Sequence, residues 1–367
     1  MFRTALLTAT ILAAGFNTST ASGQAAQTYQ GDALSIHNFI GQVEIRESQG
    51  DAISVSVRVN NPDYAGPDIR QAGGRVDIDG GQSMRGLNCQ NRNNVLRVGR
   101  RFGGRVEITE YPVLIIEAPA SLAFSIDDST YFGEAGDLGS ADINIDSCGD
   151  FTVGNVAGAA DLSINGSGDL TIGNVGGETD ISINGSGDIA AGDLGDLDLS
   201  INGSGDVTIN RQTGVIDISV NGSGDVEIDS GMTTNLDIGI NGSGDITHRG
   251  EVRVADISNN GSGDLSLNSV GDLLAGIRGS GDVDIATQTG RFEVDGNGSG
   301  DVRVSRGRAM PFLVSVSGSG DVRHGGEAVD ADVRINGSGS VSADSYSGNF
   351  RWQSRNGRVR HDAPAGG

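Results

Sequence analysis

Aspartate is the residue whose spacing in this chain could do chemistry. Asp169, Asp188, Asp206, Asp225, Asp245, Asp264, Asp282, Asp301 and Asp321 each follow a Gly-Ser-Gly. A degenerate first copy ends at Asp150 and a last one at Ser340, and successive copies lie 18, 19 or 20 residues apart. A second set stands eight residues earlier in each unit: Asp142, Asp161, Asp180, Asp198, Asp217, Asp237 and Asp256. If the units stack, each set becomes a column of carboxylates about 4.8 Å apart. Each neighbouring pair then costs about 0.9 kcal/mol in water before screening. Two arrangements offset that cost. Bound Ca²⁺ would suit oxygen ligands, with Asp169, Asp188, Asp206, Asp225, Asp245 and Asp264 as the candidate metal ligands. Alternatively, each carboxylate accepts backbone N–H bonds at its glycine corner. The chain lacks the Gly-Gly-x-Gly-x-Asp nonapeptide of calcium-binding β-rolls.

Other chemistry finds little support. An acid–base pair needs one carboxylate set apart by its surroundings, and here every carboxylate has the same neighbours. His37, His248, His324 and His361 are scattered without metal-ligand spacing. Gly-Ser-Gly is not the Gly-x-Ser-x-Gly elbow of hydrolases, and the glycine corners lack the Lys of a phosphate loop. Catalytic and cofactor-binding residues are therefore expected to be none, and the chain is read as a non-enzyme.

The elements that must position these columns can be read from one unit. In Asp161 to Gly177, Leu162, Ile164, Leu170 and Ile172 share one parity, and Asp161, Ser163, Asn165, Ser167, Asp169 and Thr171 share the other. That alternation marks strands with one buried face. Gly166 and Gly168 fall on the apolar parity but cannot fill a core, so the chain bends there. Val175 supplies a third apolar contact. A period near 19 held over eleven units predicts a single-stranded parallel β-helix, a solenoid roughly 50 Å long. The competing pattern is a hairpin that pairs Ile164 with Leu170 across Gly166-Ser167-Gly168. Stacking gives Asn165, Asn184, Asn202, Asn221 and Asn241 a role as a ladder of side-chain amides. That role accounts for the recurring Asn-Gly-Ser better than glycosylation does.

Around this array the boundaries are expected as follows. Residues 1–23 read as a signal peptide, with Arg3 ahead of an apolar Ala5 to Phe16 and small residues after it. Residues 24–135 read as irregular β coils capping the first edge, 136–345 as the β-helix, and 346–367 as a C-terminal cap and tail. There Phe350 and Trp352 are placed to cover the last coil. No later stretch is long and apolar enough for a transmembrane helix. Cys89 and Cys148 are the only cysteines, and in an exported chain they are expected to form a disulfide between a polar loop and the first coil.

The formal net charge is −23, and all 25 basic residues are Arg. Residues 136–290 hold 22 Asp and 3 Glu against 4 Arg, so this segment carries −21 of that charge. Such a surface excludes nucleic acid as a partner and draws cations or basic groups. Arg97, Arg100, Arg101 and Arg105 stand against the trend, as a solvated loop or a contact for an anionic polymer.

The repeat Ile/Leu-Ser-Ile-Asn-Gly-Ser-Gly-Asp-Ile/Val, as in Ile181 to Ile189, resembles the auto-transporter adhesin head GIN domain family. Phe39 to Ile45 is similar to the opening of such domains. The resemblance implies a right-handed parallel β-helix, export, and an adhesion-type role in the cell envelope, and it supplies no catalytic residues. One feature departs from the family label: Arg351 to Gly367 is polar and Arg-rich, without the alternating strands of a translocating membrane barrel. The expected protein is thus an exported, periplasmic or surface scaffold whose partner is a glycan, an envelope polymer or a protein. The alternatives are a polysaccharide lyase or hydrolase with its site in the N-terminal third, and a Ca²⁺-stabilised rod.

Overall fold

The structure, a computed structural model, describes residues 22–23, 25–92, 95–100 and 104–361. The expected signal peptide, apart from Ser22 and Gly23, lies outside the described residues.

Alternating β-branched residues produce strands, and the strands stack in parallel at a one-coil offset. Asp161 pairs with Asp142 on one side and Asp180 on the other; Leu162 pairs with Ile143 and Ile181, and Ile164 with Ile145 and Ile183. Leu170–Ile172 stacks likewise on Phe151–Val153 and under Ile189–Leu194. A third, minimal contact runs through Leu138, Val156 and Val175. The hairpin register does not occur. The chain is a β-solenoid of about 12 turns, with counterparts about 19 residues apart.

In Val207–Val220, and in every coil from residue 246 onward, the separate strands merge into one long strand, as in Val283–Gly296 and Val302–Val316. One aliphatic core fills the interior from end to end. In a single coil Leu162, Ile164, Leu170, Ile172 and Val175 are all buried, and each such burial stabilises by about 1.5–3 kcal/mol.

The N-terminal region joins the same stack but does not keep one direction. Ala123–Asp127 lies in parallel between Ala33–His37 and Ser140–Ile145. Ile40–Glu47 lies in parallel between Val113–Ala118 and Thr130–Ala135. Antiparallel strands then close the end: Ala52–Val59 runs against Val113–Ala118, and Asp68–Ala72 against Arg75–Asp79. Outside the stack, Leu87–Arg92, Val95–Arg100 and Arg105–Glu107 form a small antiparallel sheet. It covers a second core around Ile40, Val98, Ile108 and Tyr111. A disulfide between Cys89 and Cys148, with Cα atoms 6.2 Å apart, ties this sheet to the first corner.

The corners explain the glycines. A Cβ on Gly203 would lie 1.8 Å from the carbonyl oxygen of Gly185, and one on Gly222 1.8 Å from that of Gly203. The same carbonyls accept the N–H of Ser204 and Ser223, each at 2.9 Å. The backbone of one coil therefore occupies the space a side chain would need in the next.

Two consequences are measurable by chemical denaturation. Gly203→Ala should destabilise by at least about 1–3 kcal/mol through overpacking against backbone. Gly239→Ala, whose Cβ meets nothing within 4 Å, should be neutral or stabilising by about 0.4–1 kcal/mol. The Cys89→Ser/Cys148→Ser variant opens a 59-residue link and should lose about 4 kcal/mol on chain-entropy grounds.

Candidate functional site

Stacking turns each polar position of the corner into a column on one exposed flank. The amide ladder is continuous. Asn184 Nδ2 donates to Asn165 Oδ1 at 3.0 Å, Asn202 to Asn184 at 3.1 Å, Asn221 to Asn202 at 3.1 Å and Asn241 to Asn221 at 2.9 Å. Asn260 extends it by one rung, and Arg278 then takes the amide's place.

The aspartates that follow Gly-Ser-Gly are bound to the backbone. The N–H of Asp188 donates to Asp169 Oδ1 at 3.0 Å, that of Asp206 to Asp188 at 2.9 Å and that of Asp225 to Asp206 at 2.8 Å. Asp245, Asp264 and Asp282 continue the pattern at 2.8, 2.7 and 2.8 Å. Each carboxylate keeps Oδ2 for solvent or a cation. Within the chain Arg303 takes that role, reaching Asp282 Oδ2 at 2.6 Å and Asp301 Oδ2 at 2.5 Å. The carboxyl of Asp282 is held below its ordinary value: burial pushes it up, but the Asp301 N–H and the Arg303 guanidinium together outweigh that push. Among the described residues no group of three or more His, Cys, Asp or Glu is placed to hold a metal ion.

The second aspartate column has no such backbone bonds. Asp142, Asp161, Asp180, Asp198, Asp217, Asp237 and Asp256 stand in register. Burial first, and then the neighbouring column carboxylates, raise Asp142, Asp161 and Asp217 above the usual carboxylate range.

The histidines divide by place. His37 is half-buried near the N-terminal end, 3.1 Å from Asp77 and 3.6 Å from Asp79. A cleft beside it is lined by Asn38, Asp79, Ser83, Arg85 and Asp128. Asp79 accepts the Gly81 N–H at 2.9 Å there, and that bond is the leading reason its carboxyl is held low. His248 and His324 are fully buried in the core, in a row otherwise held by Ile228, Leu267, Ile285, Val304 and Ala343. Thr233 Oγ1 donates to Gln212 Oε1 at 2.8 Å, so His248 Nε2 donates to Thr233 at 3.0 Å. His324 Nε2 donates to Gln288 Oε1 at 3.2 Å. In both rings Nδ1 is buried without a partner. Burial depresses both imidazoles, because it penalises the charged ring by more than the nearby backbone carbonyls favour it. Sequence reasoning missed these interior polar groups; their signal was polar residues at inward parity.

Of the arginine group, Arg97 pairs with Glu107 at 2.9 Å and Arg105 donates to Asn88 Oδ1 at 2.8 Å. Arg101 and the side chain of Arg100 lie outside the described residues.

The family described as putative auto-transporter adhesin, head GIN domain, matches residues 69–228, 195–288 and 284–349. The chain belongs to this family. Among solved structures it is similar to a putative adhesin from Parabacteroides distasonis ATCC 8503, at 12% identity, covering 79% of this chain and 96% of that one, with a TM-score of 0.32. It is also similar to a putative lipid binding protein from the same organism, at 13% identity, covering 92% of this chain and 95% of that one, with a TM-score of 0.21. Likenesses of that size carry no argument about a ligand. No curated protein matches. Among the described residues no helix is long and apolar enough to cross a membrane.

The two titrating sets act in opposite directions. Raised carboxylates mean that the folded chain keeps protons the unfolded chain releases; their contribution is present below the ordinary Asp range and is lost as pH rises through their folded values. Depressed histidines contribute above the unfolded value of 6.5, and that contribution is lost as pH falls below it. The melting temperature should therefore fall as pH drops from 7 through the histidine range. The second aspartate column works against that loss as pH approaches its own range. His248→Leu/His324→Val should abolish the first fall in a calorimetric pH series.

Proposed function

We propose that this protein is an exported, non-catalytic β-solenoid of the cell envelope that serves as a rigid binding scaffold. The carrying observation is the flank itself. Coil after coil presents the same Asn, Ser and Asp rungs, with each corner carboxylate held by the next coil's N–H. Carboxylates held in this way are fixed, regularly spaced acceptors rather than proton-transfer groups. A periodic row of amides, hydroxyls and carboxylates suits a periodic partner: a glycan or envelope polymer rich in hydroxyls, or a protein with basic groups. Membership of the adhesin-head family supports this reading.

A second reading has one observation behind it. The N-terminal cleft gathers Asp79, Asp128 and Arg85, the residue types with which β-helix enzymes cleave acidic polysaccharides. Turnover of polygalacturonate or hyaluronate, lost in Asp128→Asn, would establish it and displace the scaffold reading.

Glycan-array binding tests the scaffold directly. Saturable binding that Asn202→Ala/Asn221→Ala weakens, with the fold retained, is the expected result. Binding indifferent to those rungs would remove the flank from the function. A calcium role for the corner aspartates has its own measure: Ca²⁺ added after EDTA should raise the melting temperature, and Asp206→Asn/Asp225→Asn should cancel the rise.

A further inference from the structure

Nine asparagines in this chain are followed by glycine. Asn-Gly is the dipeptide most prone to lose its side-chain amide, because glycine has no Cβ to keep its nitrogen away from the Asn Cγ. Six of the nine, Asn165, Asn184, Asn202, Asn221, Asn241 and Asn260, are rungs of the ladder. Each donates Nδ2 to the Asn Oδ1 of the coil before it, at 2.9 to 3.1 Å. Each Oδ1 accepts in turn from the coil after it, and the last of these donors is Arg278 Nη1 at 3.4 Å. A rung's side chain is thus held from both sides.

Beyond Arg278 the column changes. Its next members are Asn297, Ser317, Asn336 and Arg355, whose N–H groups donate to Ile277, Gly296, Val316 and Ile335 as those of the rungs do one coil back. Among the described residues neither Asn297 nor Asn336 makes an amide bond to another coil. Asn297 Nδ2 reaches only Asp295 Oδ1 of its own strand, at 3.4 Å. The following glycines differ as well. The Gly298 N–H donates to Ile277 O at 3.1 Å, whereas those of Gly222 and Gly337 have no acceptor among the described residues. Asn221 and Asn336 are both exposed. The side-chain bonds therefore separate these two otherwise matching Asn-Gly pairs. Asn356 lies in the final corner, outside the comparison.

We propose that the amide ladder shields its Asn-Gly pairs from deamidation and leaves Asn336 open to it, as a site of spontaneous covalent modification. In the first step the Gly337 nitrogen attacks Asn336 Cγ. The N–Cγ bond forms, the Cγ–Nδ2 bond breaks, and ammonia leaves with the proton that the glycine nitrogen gives up. Water then opens the cyclic imide to aspartate or isoaspartate. An Asn must turn its side chain to be attacked. A rung gives up the bond it donates and the bond it accepts as it turns, which slows the step about tenfold or more. Asn336 gives up neither. Asn297 falls between, because it is off the ladder but its glycine N–H is engaged. Isoaspartate adds a carbon to the main chain, at a corner where a Cβ on Gly337 would already lie 1.8 Å from Gly318 O. This reactivity does not depend on what the flank binds.

Peptide mass spectrometry tests this on the folded full chain after incubation in mildly alkaline buffer. Cleavage at arginine places Asn336 in residues 335–351 and Asn221 in residues 212–249, and fragmentation assigns each amide-to-acid mass gain to its residue. Asn336 should convert about tenfold or more faster than Asn221. In urea, where no ladder exists, the two rates should converge. Ser317→Asn places an amide between Asn297 and Asn336 and should slow Asn336. Asn202→Ala removes the acceptor of Asn221 and should speed Asn221 severalfold. Equal rates in the folded chain overturn the proposal, and so does a difference that persists in urea. Rates indifferent to both substitutions, at unchanged melting temperature, overturn it too. If either variant melts lower, the folded-against-urea comparison in the unaltered chain decides alone.

Discussion

The approach of backbone to backbone at the Gly-Ser-Gly corner governs the rest of this structure. The carbonyl of each corner glycine lies where the next coil's Cβ would be, and that of the first glycine of each pair also receives the next coil's serine N–H. Neither contact survives a side chain or a slip of one residue. The corner therefore requires glycine at two positions and sets the register for the strands on both sides. Once register is set, every residue lies over its own kind, and the columns of Asn, Asp and aliphatic side chains follow.

Columns of like residues are favourable for amides and for aliphatics and costly for carboxylates. The protein handles its two acidic columns differently. At the corner, each Asp is turned so that Oδ1 accepts an N–H from the coil above, a charge-assisted bond that offsets repulsion. Along the strand no N–H is free, because the ladder uses them all. There burial first, and then the standing repulsion, raise the carboxyls of Asp142, Asp161 and Asp217. The later coils relieve it by replacement: the row passes through Leu274 and Leu313 and ends on Arg351. The excess of acid is thus a property of the middle of the rod, and residues 291–367, with 10 Arg against 9 acidic residues, are close to balanced.

A stack has two ends, and its growth must be stopped at each. Antiparallel strands stop it at the N-terminal end, where they seal Ile53, Val55 and Val57. The disulfide and the small outer sheet hold that closure against the first coil. The C-terminal end has aromatic residues instead. Phe350 packs against the core, while Trp352 lies on top of it. The hydrogen-bonded chain of Gln212, Thr233 and His248, together with the pair Gln288 and His324, places polar groups inside an otherwise apolar interior. These bonds link coils across the core and make it sensitive to protonation.

Period, parity and composition by themselves determined that this chain is a solenoid, which residues form its core, and that Asn165 to Asn241 form a ladder. Those features depend only on local alternation and on a repeat length that stacking must preserve. Other features depended on atoms that only the fold brings together. Whether the corner aspartates meet N–H groups is decided by the next coil, 18 to 20 residues away. The antiparallel closure joins segments that share no repeat, so periodicity could not show it. His248 and His324 differ from their surface counterparts only in the direction they face, and Trp352 differs from a buried capping residue only in its exposure. In each case the residue type was legible and its surroundings were not, because a side chain's neighbours in a solenoid come from other coils.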